Sequence, residues 1–246
     1  LFVNGSNAVA FDEIYREFTG NKMDFAAIVY TSRKQVLERS FASELNALTH
    51  RLKDFAARTR SGRDFTFPEL RHVIEEIAAN FPVYRTYATE NASEISGQDR
   101  EVIQSAIKAA RERAGLKMEP PVFDFMQHLL LMELGSEVDK RGLRTAREFV
   151  MKLQQLTGPA MAKGLEDTAF YRFNRLVSLN EVGGEPGKFG VSPQEFHAAN
   201  GSMAKHWPHT LLGSSTHDTK RGEDVRARLN FLSEMRADQI EALSLW

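Results

Sequence analysis

The sequence has 246 residues, 42% hydrophobic and 26% charged, with a formal net charge of −1 and no cysteine. That length and composition fit one large or two small globular domains, and a charge so near zero leaves no electrostatic footprint for a nucleic acid partner. The missing cysteine removes disulfides, thiolate catalysis and cysteine-ligated metal and fits a reducing, cytoplasmic setting, and no run approaches the roughly 20 apolar residues that span a membrane.

The first residue is Leu1, and "LFVNGSNAVAF" has neither the basic region nor the cleavage-like site of a signal peptide. The start and the end, "QIEALSLW", are both expected to be cuts from a longer protein. Residues 8–18 form an expected short helix, because Phe11, Ile14, Tyr15 and Phe18 fall at i, i+3, i+4 and i+7. Residues 24–57 read as one long helical stretch that no proline interrupts. "SGRDFTFPEL" ends it, and Thr66 is placed to cap the next helix, with Pro68 and Glu69 in its first turn.

"FPVYRTYAT" changes the pattern. Val83, Tyr84, Thr86 and Tyr87 are strand formers behind a proline. Helices resume over 97–114, 122–134 and 143–156. "NEVGGEPGKFGVSP" is a turn-rich loop with four glycines. A short helix over 193–205 follows, then a second expected strand in "HTLLGSS". The last helix, 222–235, carries Glu223 and Asp224 at its positive end. The expected class is mainly α with two short strands far apart. Two such strands cannot build a sheet with its own core, so they are expected to join strands outside this sequence.

Several stretches could carry chemistry. In "THDTKR", a strand, a polar turn and a helix succeed one another as in the βα unit of an α/β barrel, where chemistry sits on the loops after the strands. Thr216, His217, Asp218 and Lys220 then lie at a site. The alternative is a helix cap by Asp218 or Thr219 with a surface histidine. "MAKGLEDTAFYRFNRLVSLNEVGG" mixes Lys163, Glu166, Asp167, Arg172 and Arg175 with Phe170, Tyr171 and Phe173. Sugars are bound by such mixtures: charged groups take vicinal hydroxyls in pairs and aromatic faces cover the C–H face of the ring. An amphipathic helix with ordinary i,i+4 pairs explains the same composition.

"GGEPGKFG" fails as a phosphate loop, since the spacing is one residue short and Phe189 stands where Ser or Thr should be. His206, His209 and His217 with Asp218 do not have a zinc spacing, and Pro208 breaks any helix that would present them. No metal and no cofactor are expected, and Trp207 is expected to pack in the core beside the strand. Tyr84, Arg85 and Tyr87 end the first strand, with Arg85 and Tyr87 on one face. They could hold a ligand or a buried ion pair.

"FPVYRTY", "QQLTGPAMAKGLEDTAFYRFNRLVSLNEVGGEPGKFG" and "STHDTKRGEDVRARLNFLSE" together resemble maltooligosyl trehalose synthase, a family of the α-amylase superfamily. The resemblance implies the helical insertions of a (β/α)₈ barrel with two isolated barrel strands. On that reading residues 1–81 are helical insertion and 82–89 a barrel strand. Residues 90–205 are helical insertion with a substrate-site loop, and 206–246 hold a barrel strand, the His-Asp loop and the following helix.

The implied activity is that of an isomerase, an intramolecular transglucosylase of trehalose biosynthesis. It turns the reducing-end α-1,4 linkage of a maltooligosaccharide into an α,α-1,1 linkage. Asp218 maps onto the transition-state-stabilising carboxylate and His217 onto the histidine that holds the same ring hydroxyls. Lys220 and Arg221 belong to the family's extension of that motif. Lys163, Glu166, Asp167, Phe170, Tyr171, Arg172, Tyr84 and Arg85 are the further substrate-binding candidates.

A retaining reaction also needs a nucleophile and a general acid about 5 Å apart, and neither corresponding motif occurs before His217. The implied partners are therefore the maltooligosaccharide and the rest of the barrel, with no nucleic acid and no membrane, and the chain alone is expected to be inactive. The other hypothesis is a free-standing, non-catalytic helical binding module.

Overall fold

The computed structural model describes residues 2–89, 95–115, 120–136 and 138–235. They are mainly helical and contain no β-strand. The chain divides into two compact units, Leu1–Ile28 with Thr168–Trp246, and Val29–Asp167. The first boundary falls within a helix.

In the 29–167 unit the expected long helix is two: α2 (Phe25–Arg39) and α3 (Ala42–Ala56), α1 being Ala8–Thr19 of the other unit. No glycine or proline marks the break. Ser40 N and Phe41 N both donate to the Val36 carbonyl, and Phe41 leaves helical geometry at φ −115°. The turn lets α3 pack on α4 (Phe67–Ala79) and on α7 (Lys140–Met161).

Helix α4 is the centre of this unit, touching α3, α5 (Gly97–Ala114), α6 (Pro120–Leu130) and α7. Its start is the expected one. The Thr66 side chain accepts from Glu69 N and the Glu69 carboxylate accepts from Thr66 N, a reciprocal cap with Pro68 in the first turn. Leu70, Val73, Ile74 and Ile77 are wholly buried, with Leu45, Leu52, Phe55, Phe123, Met126, Leu129 and Phe149 around them. Glu75 and Glu76 are also buried, and Lys34 pairs with both, at 3.3 and 2.8 Å. Tyr30 donates to Glu76 at 2.9 Å, and burial together with that carboxylate raises the Tyr30 pKa.

Helix α6 ends earlier than expected, where Met132 takes a left-handed φ of 56°. Helix α7 is longer at both ends. Asp139 caps it by accepting from Gly142 N at 2.7 Å, and Pro159 lies inside it. A proline supplies no N–H to the preceding turn, and just beyond it residues Ala162–Glu166 widen into a π-turn.

Both expected strands are absent. Residues 82–89 and 209–215 form neither helix nor strand and pair with no ladder. A strand exists only through hydrogen bonds to a neighbour, and no neighbouring strand is present among the described residues. Trp207, expected in the core, is 71% exposed, and Leu211 and Leu212 are 97% and 82% exposed. With no sheet there, the residues beside it have nothing to pack against.

The other unit holds α1, α8 (Pro193–His206) and α9 (Glu223–Asn230) with the loop of four glycines. Phe11 packs on Phe189, Phe25 stacks on Phe170, and Tyr15 meets Phe173 edge-on.

Candidate functional site

The "THDTKR" segment is a tight turn made by its own threonines. Thr219 N donates to the Thr216 carbonyl at 3.2 Å, the Thr219 hydroxyl donates to the same oxygen at 2.7 Å, and Asp218 N donates to the Thr216 hydroxyl at 3.3 Å. His217 and Asp218 project from the turn. Their side chains lie 3.3 Å apart and are 91% and 70% exposed. The cap of α9 is Gly222, not Asp218 or Thr219. The capping explanation of the Asp218 carboxylate therefore lapses.

The turn is tied at both ends. On its N-terminal side Arg226 donates to the Ser214 carbonyl and, at 3.2 Å, to the Ser215 hydroxyl. On its C-terminal side the Glu181 carboxylate accepts from Lys220 N and, at 3.0 Å, from Arg221 N. It also accepts from its neighbour Val182 N at 3.0 Å. Burial alone would raise the pKa of Glu181. The three backbone donors and the Arg226 charge outweigh it and hold the carboxyl below its usual range.

Glu181 reaches the turn because its own loop is sharply folded. Gly184 N donates to the Glu181 carbonyl, and a Cβ on Gly184 would stand 2.6 Å from the Leu179 carbonyl oxygen and 2.8 Å from that of Glu181. Only glycine fits there. Asn180 secures the loop from the other side by donating to the Phe170 carbonyl at 2.7 Å. Arg175, whose side chain is 5% exposed, pairs with Asp12 at 2.8 Å and donates to the Pro186 carbonyl at 2.9 Å. A cavity of about 560 Å³ opens beside this loop, walled in part by Ser178, Glu181, Lys188 and Arg226.

Tyr171 is open at 63% exposure, and the Lys220 ammonium lies 5.7 Å from its ring centre. Phe170 is 3% exposed and stacks on Phe25, so its ring is a core group and offers no face to a ligand. The Arg172 carbonyl accepts from the Tyr15 hydroxyl at 3.2 Å.

The remaining candidates lie in the 29–167 unit. The π-turn presents Lys163 and Glu166, and Lys163 pairs with Asp167 at 2.7 Å. Tyr84 donates to Glu166, 82 positions away in sequence. Burial first and then the Glu166 carboxylate push the Tyr84 pKa up to about 12. The Arg85 guanidinium lies 4.7 Å over the Tyr87 ring. In the same unit Arg33 is buried and donates to the Phe81 carbonyl at 2.8 Å, and burial draws its pKa down to about 10. Gly164 admits it, since a Cβ there would stand 2.8 Å from Arg33 Cα. Among the described residues no three His, Asp or Glu side chains are grouped to hold a metal.

Glu181 is the site residue the sequence reading passed over. "NEVGG" was legible only as a loop. The one available signal was a lone carboxylate between Asn180 and Val182 ahead of two glycines.

No protein-family model matches the chain. A Mycobacterium tuberculosis protein, provisionally named maltooligosyl trehalose synthase, is 57% identical over 88 residues, covering 36% of this chain and 12% of its own length. The solved maltooligosyltrehalose synthase of Arthrobacter ramosus superposes with a TM-score of 0.74 at 30% identity, over 97% of this chain and 27% of that one. The chain is similar to maltooligosyl trehalose synthase in both sequence and fold. A hypothetical maltooligosyl trehalose synthase from Sulfolobus tokodaii agrees, with a TM-score of 0.65 at 26% identity over 98% of this chain and 28% of that one. The chain thus spans only about a quarter of these solved synthases.

Proposed function

We propose that this chain is part of a maltooligosyl trehalose synthase. Such an enzyme would move the reducing-end α-1,4 linkage of a maltooligosaccharide to α,α-1,1 by intramolecular transglucosylation. The observation that carries this reading is the agreement of a sequence relative and of solved folds, the latter along nearly the whole chain, on one family. The Asp218 carboxylate, exposed on a braced turn, would stabilise the oxocarbenium-like transition state, with His217 beside it on the same ring hydroxyls. Lys220, Arg221 and Tyr171 would contact the neighbouring glucose. Lys163, Glu166, Asp167, Arg172, Tyr84 and Arg85 are proposed as further sugar contacts.

In this reading residues 82–89 and 209–215 become barrel strands when paired with strands outside this chain. The exposed Leu211 and Leu212 favour that, since such apolar groups are normally covered. The nucleophile and general acid would come from outside it too, so the 246-residue chain should not turn over by itself. The proposed setting is the cytoplasm.

The test is made in the full-length protein. Incubation with maltopentaose should consume reducing ends without releasing glucose. Asp218→Asn should lower kcat about 10²-fold or more, roughly 2.7 kcal/mol, with KM little changed, because the lost charge acts chiefly in the transition state. Near-normal turnover by that variant would remove Asp218 from the mechanism. Turnover by the 246-residue chain alone would show that the acid and nucleophile lie within it.

A further inference from the structure

The geometry points to Glu181 as the positioning residue of this site: its carboxylate sets where the His217–Asp218 turn stands. The inference rests on the function proposed above, but the contact it concerns does not.

Three observations carry it. The first is the bonding itself. Glu181 Oε1 accepts from Val182 N and Lys220 N, while Oε2 accepts from Arg221 N. Lys220 and Arg221 follow Asp218 by two and three residues, so the bonds grip the backbone just after the exposed pair. The second is that Glu181 is 8% exposed although it carries a charge, whereas His217 and Asp218 stand in the open. A buried carboxylate is costly unless hydrogen bonds compensate it, and here the main compensation comes from the turn's own N–H groups. The third is the opposite brace. Arg226 binds the residues just before the turn, at Ser214 and Ser215, and its charge also favours the Glu181 carboxylate. The turn is thereby fixed on both sides while its two chemical side chains stay 91% and 70% exposed.

A carboxylate suits this task and an amide does not. Both oxygens of Glu181 face backbone donors. Glutamine has one oxygen, and its NH₂ would be set against either Lys220 N or Arg221 N, donor against donor. Releasing one of these bonds frees the turn to shift, and a misplacement of about 1 Å at a reacting group can cost about 10²-fold in rate.

The experiment compares Glu181→Gln, Glu181→Asp and wild type in the full-length protein by two readouts. Hydrogen exchange over residues 216–222 reads the clamp without any substrate. Steady-state kinetics on maltopentaose read its consequence. The expected result for Glu181→Gln is faster exchange confined to that segment, with kcat down about 10- to 100-fold and KM changed less than about threefold. Glu181→Asp keeps two acceptor oxygens on a shorter arm and should recover part of both. A merely structural role would lower the folded fraction and leave kcat per folded molecule unchanged. Unchanged exchange, or a kcat per folded molecule within about twofold of wild type, overturns the inference. If wild type itself leaves maltopentaose untouched, the functional reading fails, and the exchange data still decide whether Glu181 holds the turn.

Discussion

Helix α4 buries Leu70, Val73, Ile74 and Ile77 completely, whereas α8 and α9 bury no residue at all. The 29–167 unit is held by an apolar core spread over α2 to α7. The unit of residues 1–28 and 168–246 buries a small aromatic group around Phe11, Phe170 and Phe173, and leans on polar ties such as Arg175–Asp12 and Glu181 to the 220–221 backbone. Apolar burial is non-directional and adds up with area. A polar tie contributes about 1 kcal/mol net but fixes one geometry. The helical unit is therefore built for stability and the loop-rich unit for placing particular side chains.

The sharpest way to break this contrast is to cut the core. Phe149 is fully buried. Phe149→Ala should destabilise the 29–167 unit by about 3–5 kcal/mol, read as a lowered urea midpoint. A loss under about 1 kcal/mol would show that this core is not the source of stability.

Next in size is the reciprocal cap at the start of α4. Thr66→Ala removes the hydroxyl that accepts from Glu69 N and should cost about 1 kcal/mol. Thr66→Asn should restore most of it in the same urea measurement.

Acid should loosen the polar unit first. The Glu181 carboxyl titrates below its unfolded value of about 4.3. Its ties therefore contribute stability above that pH and lose it as the pH falls through the folded-state pKa. Protection over 216–222, taken relative to the intrinsic exchange rate at each pH, should fall on acidification before that of α4 does. The Gln variant should show no such pH dependence in that segment. Simultaneous opening of both regions in wild type would erase the distinction.

The smallest effect within the 246-residue chain belongs to Leu212, 82% exposed. Leu212→Ser should change the stability of the 246-residue chain by no more than about 0.5 kcal/mol. In the full-length protein, where a barrel is proposed to cover this residue, the loss should exceed about 2 kcal/mol. Equal, small effects in both would argue that nothing covers it.

The local grammar of helices was legible and the long-range contacts were not. Thr66 with Pro68 and Glu69 announced the start of α4, and the period of Phe11 to Phe18 announced α1. The break between α2 and α3 was hidden, because Ser40 and Phe41 are both tolerated in a helix and only packing on α4 and α7 selects the turn. Helix α7 runs beyond the expected 143–156 at both ends, taking in Gly142 and Pro159, two residue types that ordinarily end helices. The first strand expectation came from the β-branched and aromatic residues Val83, Tyr84, Thr86 and Tyr87, and the second from the apolar Leu211 and Leu212 ahead of a polar turn; either preference is realised only when another strand supplies the ladder.

At the site, the adjacency of His217 and Asp218 was written in the chain, and so was the resemblance that gave the pair a meaning. Neighbouring residues in a threonine-rich turn have few ways to stand, so local chemistry determined that much. Which of Phe170 and Tyr171 would face outward was decided by Phe25, 145 positions from Phe170, through the ring stack that buries it. The pairing of Tyr84 with Glu166 and the grip of Glu181 on Lys220 and Arg221 join residues about 40 to 80 apart. Propensity and spacing act over a turn or two of chain. Contacts of that separation exist only once the fold has brought distant backbone together, so tertiary structure alone decided them.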